Sequence, residues 1–403
     1  GLRRASSIQA PPRLSPALRT AALMLLPRAL GEALALPRAR VPLDDTATVI
    51  FTSGSTGSPK GVMLTHRNIQ ANIEALGQVY QALPDDVLLG VLPFFHSFGH
   101  TGALWFPMTA GFAAVYHPNP LDAKVVGRLA REFAATFLLG TPSFLAGYMR
   151  RVEPADFKSL RTVVVGAEKL RAEVALAFKE KYGLTPLEGY GSTELSPVAS
   201  LNVPDVRLGS VHQTGTKLGT IGHPLPGVRM KVVDPDSGAE LPIGTPGLLL
   251  VNGPNVMKGY LDDPERTAEA MRDGYYVTGD IASFDDDGYL TITDRLSRFS
   301  KVAGEMVPHI KVEEELHKAQ GTLEQTFVVA AVPDEKRGER LVVLMKGAND
   351  VDALLGKLKA AGLPNLWLPG KECFHPVESF PLLGSGKLDM SALKAKAREL
   401  EKA

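Results

Sequence analysis

FTSGSTGSPKG, Phe51 to Gly61, is the stretch on which the reading of this chain turns. It holds three glycines, five Ser or Thr, one proline and one lysine, directly behind the apolar run Val49-Ile50-Phe51. Thr48–Phe51 reads as a buried strand. Thr65 then opens a helix with Ile69, Ile73 and Leu76 on one face. Glycines let backbone N–H groups approach an anion without side-chain clash, hydroxyls add donors, and Lys60 adds charge. Strand, loop and helix together make a phosphate cradle. It is not a Walker A loop, which ends Gly-Lys-Ser/Thr, because the order here is Pro59-Lys60-Gly61. A flexible Ser/Gly linker has a similar composition, but linkers are not wedged between a buried strand and a capped helix.

Composition narrows the field. At 403 residues there is room for two or three domains with sizeable cores. Basic and acidic residues number 44 each, so no net charge draws the chain to nucleic acid. Cys373 is the single cysteine; no intrachain disulfide can form, and a reducing compartment, the cytoplasm, fits best. Residues 1–43 hold seven Arg, no Lys and one acid, Glu32. That head reads as a linker or truncated remnant, as a transit peptide, or as a basic segment lying peripherally on anionic lipid at the inner face of a membrane. Its longest uncharged apolar run, Ala21 to Leu26, is far too short to span a bilayer.

From about Asp44 strands and helices alternate. Val87–Leu92 and Thr162–Val165 are apolar strands, and Arg171–Tyr182 is a helix. This is the α/β pattern of a mainly parallel sheet covered by helices. After about Gly209 the texture changes. Val228–Val233 and Gly247–Val251 flank DPDSG, and Ile281–Phe284 and Tyr289–Ile292 flank DDDG, which are hairpin signals for an antiparallel β subdomain at about 209–295. A smaller α+β stretch follows: a helix at Glu313–Lys318, strands at Phe327–Val332 and Leu341–Met345, a helix at Val351–Ala361. The expected division is 1–43, a large domain at 44–295, and a small C-terminal domain at 296–403, with the boundary near Arg295–Ser297.

Four further stretches keep company with the loop: GYGSTE (Gly189–Glu194), YYVTGD (Tyr275–Asp280), GYLTITDRLSR (Gly288–Arg298) and PLLGSGKLD (Pro381–Asp389). In this order they resemble the blocks of the adenylate-forming (AMP-binding, acyl-activating) ligases. The resemblance implies that family's fold, ATP with Mg²⁺, and a role for each block. Thr52, Ser53, Gly54, Ser55, Thr56, Gly57 and Lys60 would form the pyrophosphate loop. Gly166, Ala167 and Glu168 in VVGAEKLR, with Gly189, Tyr190 and Gly191, would meet the nucleotide. Thr193 and Glu194 would act in catalysis, Glu194 also as the Mg²⁺ ligand; alone it would be a surface acid. Tyr190 offers a flat face to adenine or a wall to the acyl group, or is a plain core tyrosine. Asp280, after a Thr-Gly turn, can accept from both ribose hydroxyls, or simply serve that turn. Arg295 would contact ribose, Ser297 would be the hinge of a mobile small domain, and the segment around Gly304 would line a thiol channel. Lys387, in a Gly-Ser-Gly loop, would steady charge as the acyl-adenylate forms; a lone C-terminal lysine is otherwise a solvated charge.

LPFFHSFG (Leu92–Gly99), GPNVMKGYL (Gly253–Leu261) and FSKVAGEMV (Phe299–Val307) are similar to the synthetase half of bacterial 2-acylglycerophosphoethanolamine acyltransferase/acyl-acyl carrier protein synthetases. That resemblance implies a long-chain fatty acid as substrate, acyl carrier protein or else coenzyme A as acceptor, and onward transfer to lysophospholipid by an acyltransferase domain or protein. Phe94, Phe95, Phe98 and Trp105 suit an alkyl chain, or are core. His96 can hydrogen-bond near the acyl carboxylate, or be a satisfied core histidine. Three departures stand out: the family's N-terminal subdomain ahead of the loop is expected to be missing, so is an acyltransferase domain, and Asp294 stands where glycine is frequent. An active ligase and a truncated nucleotide-binding remnant are therefore both open, and the intact charged residues favour the first.

Overall fold

The computed structural model describes residues 41–53, 59–347, 349–382 and 388–401. The chain divides into two units, 1–45 and 46–403. Of the first, the described part is a turn in which Asp45 N donates to the Pro42 carbonyl at 3.1 Å. All that follows concerns the second.

The strand before the loop, Thr46–Ser53, does not lead straight to a helix. It turns back into a second strand, Pro59–Thr65, with Phe51 opposite Gly61, Thr52 opposite Lys60 and Ser53 opposite Pro59. The short strand Gly259–Tyr260 adds to the hairpin beside Val62 and Met63. The stretch thus begins and ends on paired strands, and the expected buried strand is only half buried. Alternation sends Ile50 inward, and Phe51 is 65% exposed. The helix begins where the sequence places it. Thr65 caps His66–Val79 through a reciprocal pair, Asn68 N to Thr65 Oγ1 at 3.1 Å and Thr65 N to Asn68 Oδ1 at 2.9 Å.

The centre is a seven-stranded sheet. Ala113–Tyr116, Val87–Gly90, Phe137–Gly140, Thr162–Val165 and Leu187–Gly191 run parallel in that spatial order. Val198–Leu201 and His223–Pro224 close one edge antiparallel. Alternation splits the strands between two cores. Leu89, Leu138, Val163 and Val165 pack under the helices Ala123–Glu132, Pro142–Arg151 and Ala172–Tyr182. On the other face Leu88, Phe137, Leu139 and Val164 pack under His66–Val79 and the helical run Phe98–Ala110. Each such side chain contributes about 1.5–3 kcal/mol when fully buried.

The antiparallel β subdomain is present, and its five-stranded sheet starts at Arg229. Arg229–Val233 pairs with Gly247–Asn252, which pairs with Tyr275–Phe284; Met271–Arg272 and Leu290–Arg295 flank the last. The stretch from 209 to 228 serves other sheets, because Val211–Gln213 pairs with Val206–Leu208 and His223 pairs with Leu201. Arg295 ends one sheet, and Phe299 begins the next. That sheet holds Phe299–Val302, Glu305–Pro308, Gly338–Lys346, Phe327–Asp334 and Phe374–Val377, with the helices His309–Gln320, Val351–Ala360 and Met390–Leu400 packed around it. Cys373 is buried.

The two parts of this unit meet along a polar seam. Arg171, capping Ala172–Tyr182, donates to the carbonyls of Thr322 (3.0 Å), Leu323 and Glu324 (3.3 Å). Lys169 pairs with Glu314 and Arg150 with Glu324, each at 2.6 Å. Leu323 is the apolar member of the seam, resting on the core of the large sheet. Among the described residues no helix is long and apolar enough to cross a membrane.

Candidate functional site

A cavity of about 1330 Å³ lies where the hairpin, the carboxyl ends of the parallel strands, the β subdomain and the helix Met390–Leu400 converge. Open α/β sheets bind ligands at those carboxyl ends. Thr52 and Lys60 reach its wall from the hairpin; Gly54, Ser55, Thr56 and Gly57 lie outside the described residues. Ser53 ends the first strand. Lys60 Nζ stands 5.1 Å from the centroid of the Tyr260 ring. Tyr260 in turn donates its hydroxyl to Glu194 Oε1 at 3.0 Å. Cation, ring and carboxylate therefore form a chain from the hairpin to the turn after Gly191.

Gly166, Ala167, Gly189, Tyr190, Gly191, Thr193 and Glu194 all line the cavity. A Cβ on Gly166 would come within 3.2 Å of the Gly189 carbonyl, so a larger residue there would push the two strand ends slightly apart. Thr193 Oγ1 lies 3.2 Å from Ser97 Oγ. Glu168 stands apart from the rest of the expected set. Its carboxylate accepts from Ser143 N (3.2 Å) and Ser143 Oγ (2.6 Å), which anchors the start of Pro142–Arg151, and it is not on the cavity wall.

Asp280 also sits differently from expectation. It lies within the strand Tyr275–Phe284 rather than beyond it, is 4% exposed, and stands just behind the wall. Tyr190 donates to its Oδ2 at 2.5 Å and Arg295 Nε to its Oδ1 at 2.8 Å. Burial, with Asp280 beside it, holds the Tyr190 hydroxyl far above the usual phenol range, so it stays a donor. Two carboxylate oxygens offer about four acceptor positions, and two remain here. Tyr190 and Arg295 themselves face the cavity.

The aromatic wall is half of what the sequence suggests. Phe95 and Phe98 line the cavity, and His96 lines it with Nδ1 accepting from Phe98 N at 3.3 Å. Phe94 packs edge-on against Tyr116, and Trp105 Nε1 donates to His100 Nε2 at 3.3 Å; neither reaches the cavity. The apolar wall that sequence reasoning missed is deeper: Leu76, Tyr80, Leu88, Phe106, Phe137 and Leu139. All six read as ordinary core, and nothing in their pattern says that a void runs between them.

At the small domain, Leu388, Met390, Ser391 and Arg398 line the cavity, whereas Lys387 lies outside the described residues. Ser297 belongs to the short turn Leu296–Arg298. Gly304, at φ +90°, forms the turn between Phe299–Val302 and Glu305–Pro308 and is not on the cavity wall, so the expected thiol channel is not part of this cavity. Asp294 is fully buried and ties the end of one sheet to the next domain. Its Oδ2 accepts from Ile310 N at 2.9 Å, at the start of His309–Gln320, and Oδ1 from Arg295 N at 2.7 Å. Glu313 lies beside it, paired with Arg298. Burial raises Asp294 to about 7 despite Arg298. A carboxyl raised in the folded state binds a proton that the unfolded chain has shed, so its stabilisation is present below about pH 4 and lost as pH rises through 7. Glu188 is raised to about 7 in the same way. Asp294→Asn should therefore lower the thermal midpoint less than the parent between pH 5 and pH 7.5, with Glu188 retaining part of the slope. Identical slopes in a thermal titration would exclude this role.

Mg²⁺ brought by a nucleotide needs one or two carboxylates besides phosphate oxygens and water. Glu194 fits, since Tyr260 engages Oε1 and the group faces the cavity. Among the described residues no cluster of three His, Cys, Asp or Glu stands ready to hold a metal unaided.

This fold, with its small C-terminal domain set against a cavity at the strand ends, is that of the adenylate-forming ligases. The chain belongs to the AMP-binding enzyme family, which matches residues 9–261. It is 34% identical over 326 residues to a long-chain-fatty-acid–CoA ligase of Bacillus subtilis, covering 79% of this chain and 56% of that protein. Feruloyl-CoA synthase of Amycolatopsis is 33% identical over 87% of this chain and 70% of its own length. The crystal structure of ATP-bound MatB from Rhodopseudomonas palustris superposes with a TM-score of 0.79 at 28% identity, over 90% of this chain and 70% of that one.

Proposed function

We propose that this chain activates a fatty acid in two steps. The carboxylate attacks the α-phosphorus of ATP, the bond to the β-phosphate breaks, and pyrophosphate leaves with acyl-AMP formed. A thiol then attacks the acyl carbonyl, loses its proton and displaces AMP, giving a thioester. The supporting observation is that one cavity joins a polar end bearing Lys60, Thr193 and Glu194 to an apolar arm bearing Leu76, Leu88 and Phe137. In this reading Lys60 and the residues Thr52 to Gly57 hold the departing phosphates. Glu194 would hold Mg²⁺, which would supply charge neutralisation on them. Asp280 and Arg295 take the ribose, His96 orients the carboxylate, and Lys387 steadies the charge that develops.

For the acceptor, relatives named as a CoA ligase in Bacillus subtilis and a feruloyl-CoA synthase in Amycolatopsis favour coenzyme A. Acyl carrier protein is the second reading. Of the basic residues of the small domain, Lys301, Lys336 and Arg337 gather round the Ala303–Gly304 turn, where Ala303 N donates to the Arg337 carbonyl at 2.8 Å. Lys311 and Arg340 are engaged elsewhere, with Glu315 and Glu401. Three cations suit the phosphates of coenzyme A as well as an acidic carrier.

The test is pyrophosphate release from ATP with a panel of straight-chain, aromatic and dicarboxylic acids, followed by thioester formation with each acceptor at low and moderate salt. Release with straight-chain acids and efficient use of coenzyme A support the proposal. Release with none of them would favour a nucleotide-binding remnant. A salt-sensitive preference for carrier protein would replace coenzyme A as the acceptor.

A further inference from the structure

We propose that Tyr80 is the floor of the acyl arm and sets the longest straight-chain acid this site accepts. The inference rests on the fatty-acid reading above and adds a depth to it.

Strand register gives that depth. Gly140 is at the carboxyl end of its strand, level with Val165, while Phe137 is at the amino end, level with Leu88 and Thr162. Phe137 and Leu139 share a face, and both belong to the cavity wall and to the core under His66–Val79. From the level of Gly140 to that of Phe137 is three residues, ~10 Å at ~3.3 Å per residue. The arm therefore runs down the sheet from the polar end of the cavity toward the amino ends of the strands.

Across from the sheet, Leu76 and Tyr80 lie four residues apart, one above the other, ~6 Å along the helix direction. Tyr80 meets Phe137 edge-on, with ring centroids 6.1 Å apart. Its hydroxyl donates to the Asn202 carbonyl at 3.3 Å. Asn202 is itself fixed, its Nδ2 donating to the carbonyls of Glu188 (3.0 Å) and Thr220 (2.7 Å). The ring is held by packing on one side and by its hydroxyl on the other, so it closes the arm instead of swinging aside. Leu76, Leu88, Phe106, Phe137 and Leu139 complete the wall, and none carries a charge or a side-chain donor. A second carboxylate at the far end of a substrate would be buried there without a partner, at high cost. The substrate class is an unbranched aliphatic monocarboxylic acid whose terminal methyl stops at Tyr80.

The experiment measures kcat/KM for adenylation, by pyrophosphate release, across the saturated acids from butyrate to palmitate. The parent chain should show a maximum and a fall beyond it. Tyr80→Leu should raise the palmitate-to-octanoate ratio on the order of tenfold, the worth of about two newly buried methylenes. Leu76→Phe fills the arm one turn higher and should lower that ratio by a similar factor. Unmoved profiles in both variants, with adenylation retained, would overturn the proposal. Should Tyr80→Leu fail to fold, judged by its thermal transition, Leu76→Phe decides alone. A folded parent that adenylates no straight-chain acid would overturn the fatty-acid reading itself.

Discussion

Asp280→Asn is expected to raise the KM for ATP roughly 10- to 100-fold while the protein stays folded. The proposed ribose contact places charge-assisted hydrogen bonds on this carboxylate, each worth about 1.5–3 kcal/mol. With each 1.4 kcal/mol a factor of ten, losing one such bond gives the stated range. Asparagine keeps the volume, so the buried strand Tyr275–Phe284 need not repack. It offers one acceptor oxygen where two served Tyr190 and Arg295, so one of those partners is also released. Both line the cavity, and the variant should weaken nucleotide binding more than it slows turnover at saturating ATP. Isothermal titration with a non-hydrolysable ATP analogue gives the same comparison without catalysis. Unchanged affinity with a lowered melting point would mean that Asp280 only braces the strand.

Glu194→Gln should cut the rate of acyl-adenylate formation on the order of 10²–10³-fold, the scale of removing one group aimed at developing charge. Glutamine can still accept from Tyr260, so the chain from Lys60 through Tyr260 should persist. What it lacks is the negative charge that would hold Mg²⁺ against the phosphates. The half-saturating Mg²⁺ concentration should therefore rise. Thioester formation from supplied acyl-adenylate, which needs no metal-bound pyrophosphate, should suffer much less. A Mg²⁺ titration identical to the parent's would remove Glu194 from the metal role.

The sequence carried the parallel sheet well, because Val87–Gly90 and Thr162–Val165 are short apolar runs set between helical stretches, and such runs have few other uses. It carried the cap at Thr65 for the same local reason. The hairpin Thr46–Thr65 was illegible since Pro59-Lys60-Gly61 looks like the end of a loop; only pairing with Thr48–Thr52 and Tyr260 makes it a strand. Site residues grouped in blocks, such as Gly189–Glu194, come together because one strand end delivers them. Glu168 parted from its neighbours Gly166 and Ala167 because Ala167 takes φ +70°, which turns the chain away from the cavity, and Ser143 is there to receive the carboxylate. The acyl arm was the least visible, for a lined void and a filled core use the same residues.

Where Arg150, Lys169 and Arg171 meet Glu314, Glu324 and three backbone carbonyls, the contact consists almost wholly of groups that water can satisfy equally well. A greasy joint would resist separation, since parting it would wet apolar surface at about 25 cal/mol per Å². Parting this seam would wet little apolar surface beyond Leu323, the other apolar contact between the two parts lying at Phe299, which packs on Val233, Leu248, Leu250 and Ile281. Salt screens such exposed ion pairs, so ionic strength would tune how firmly this seam holds.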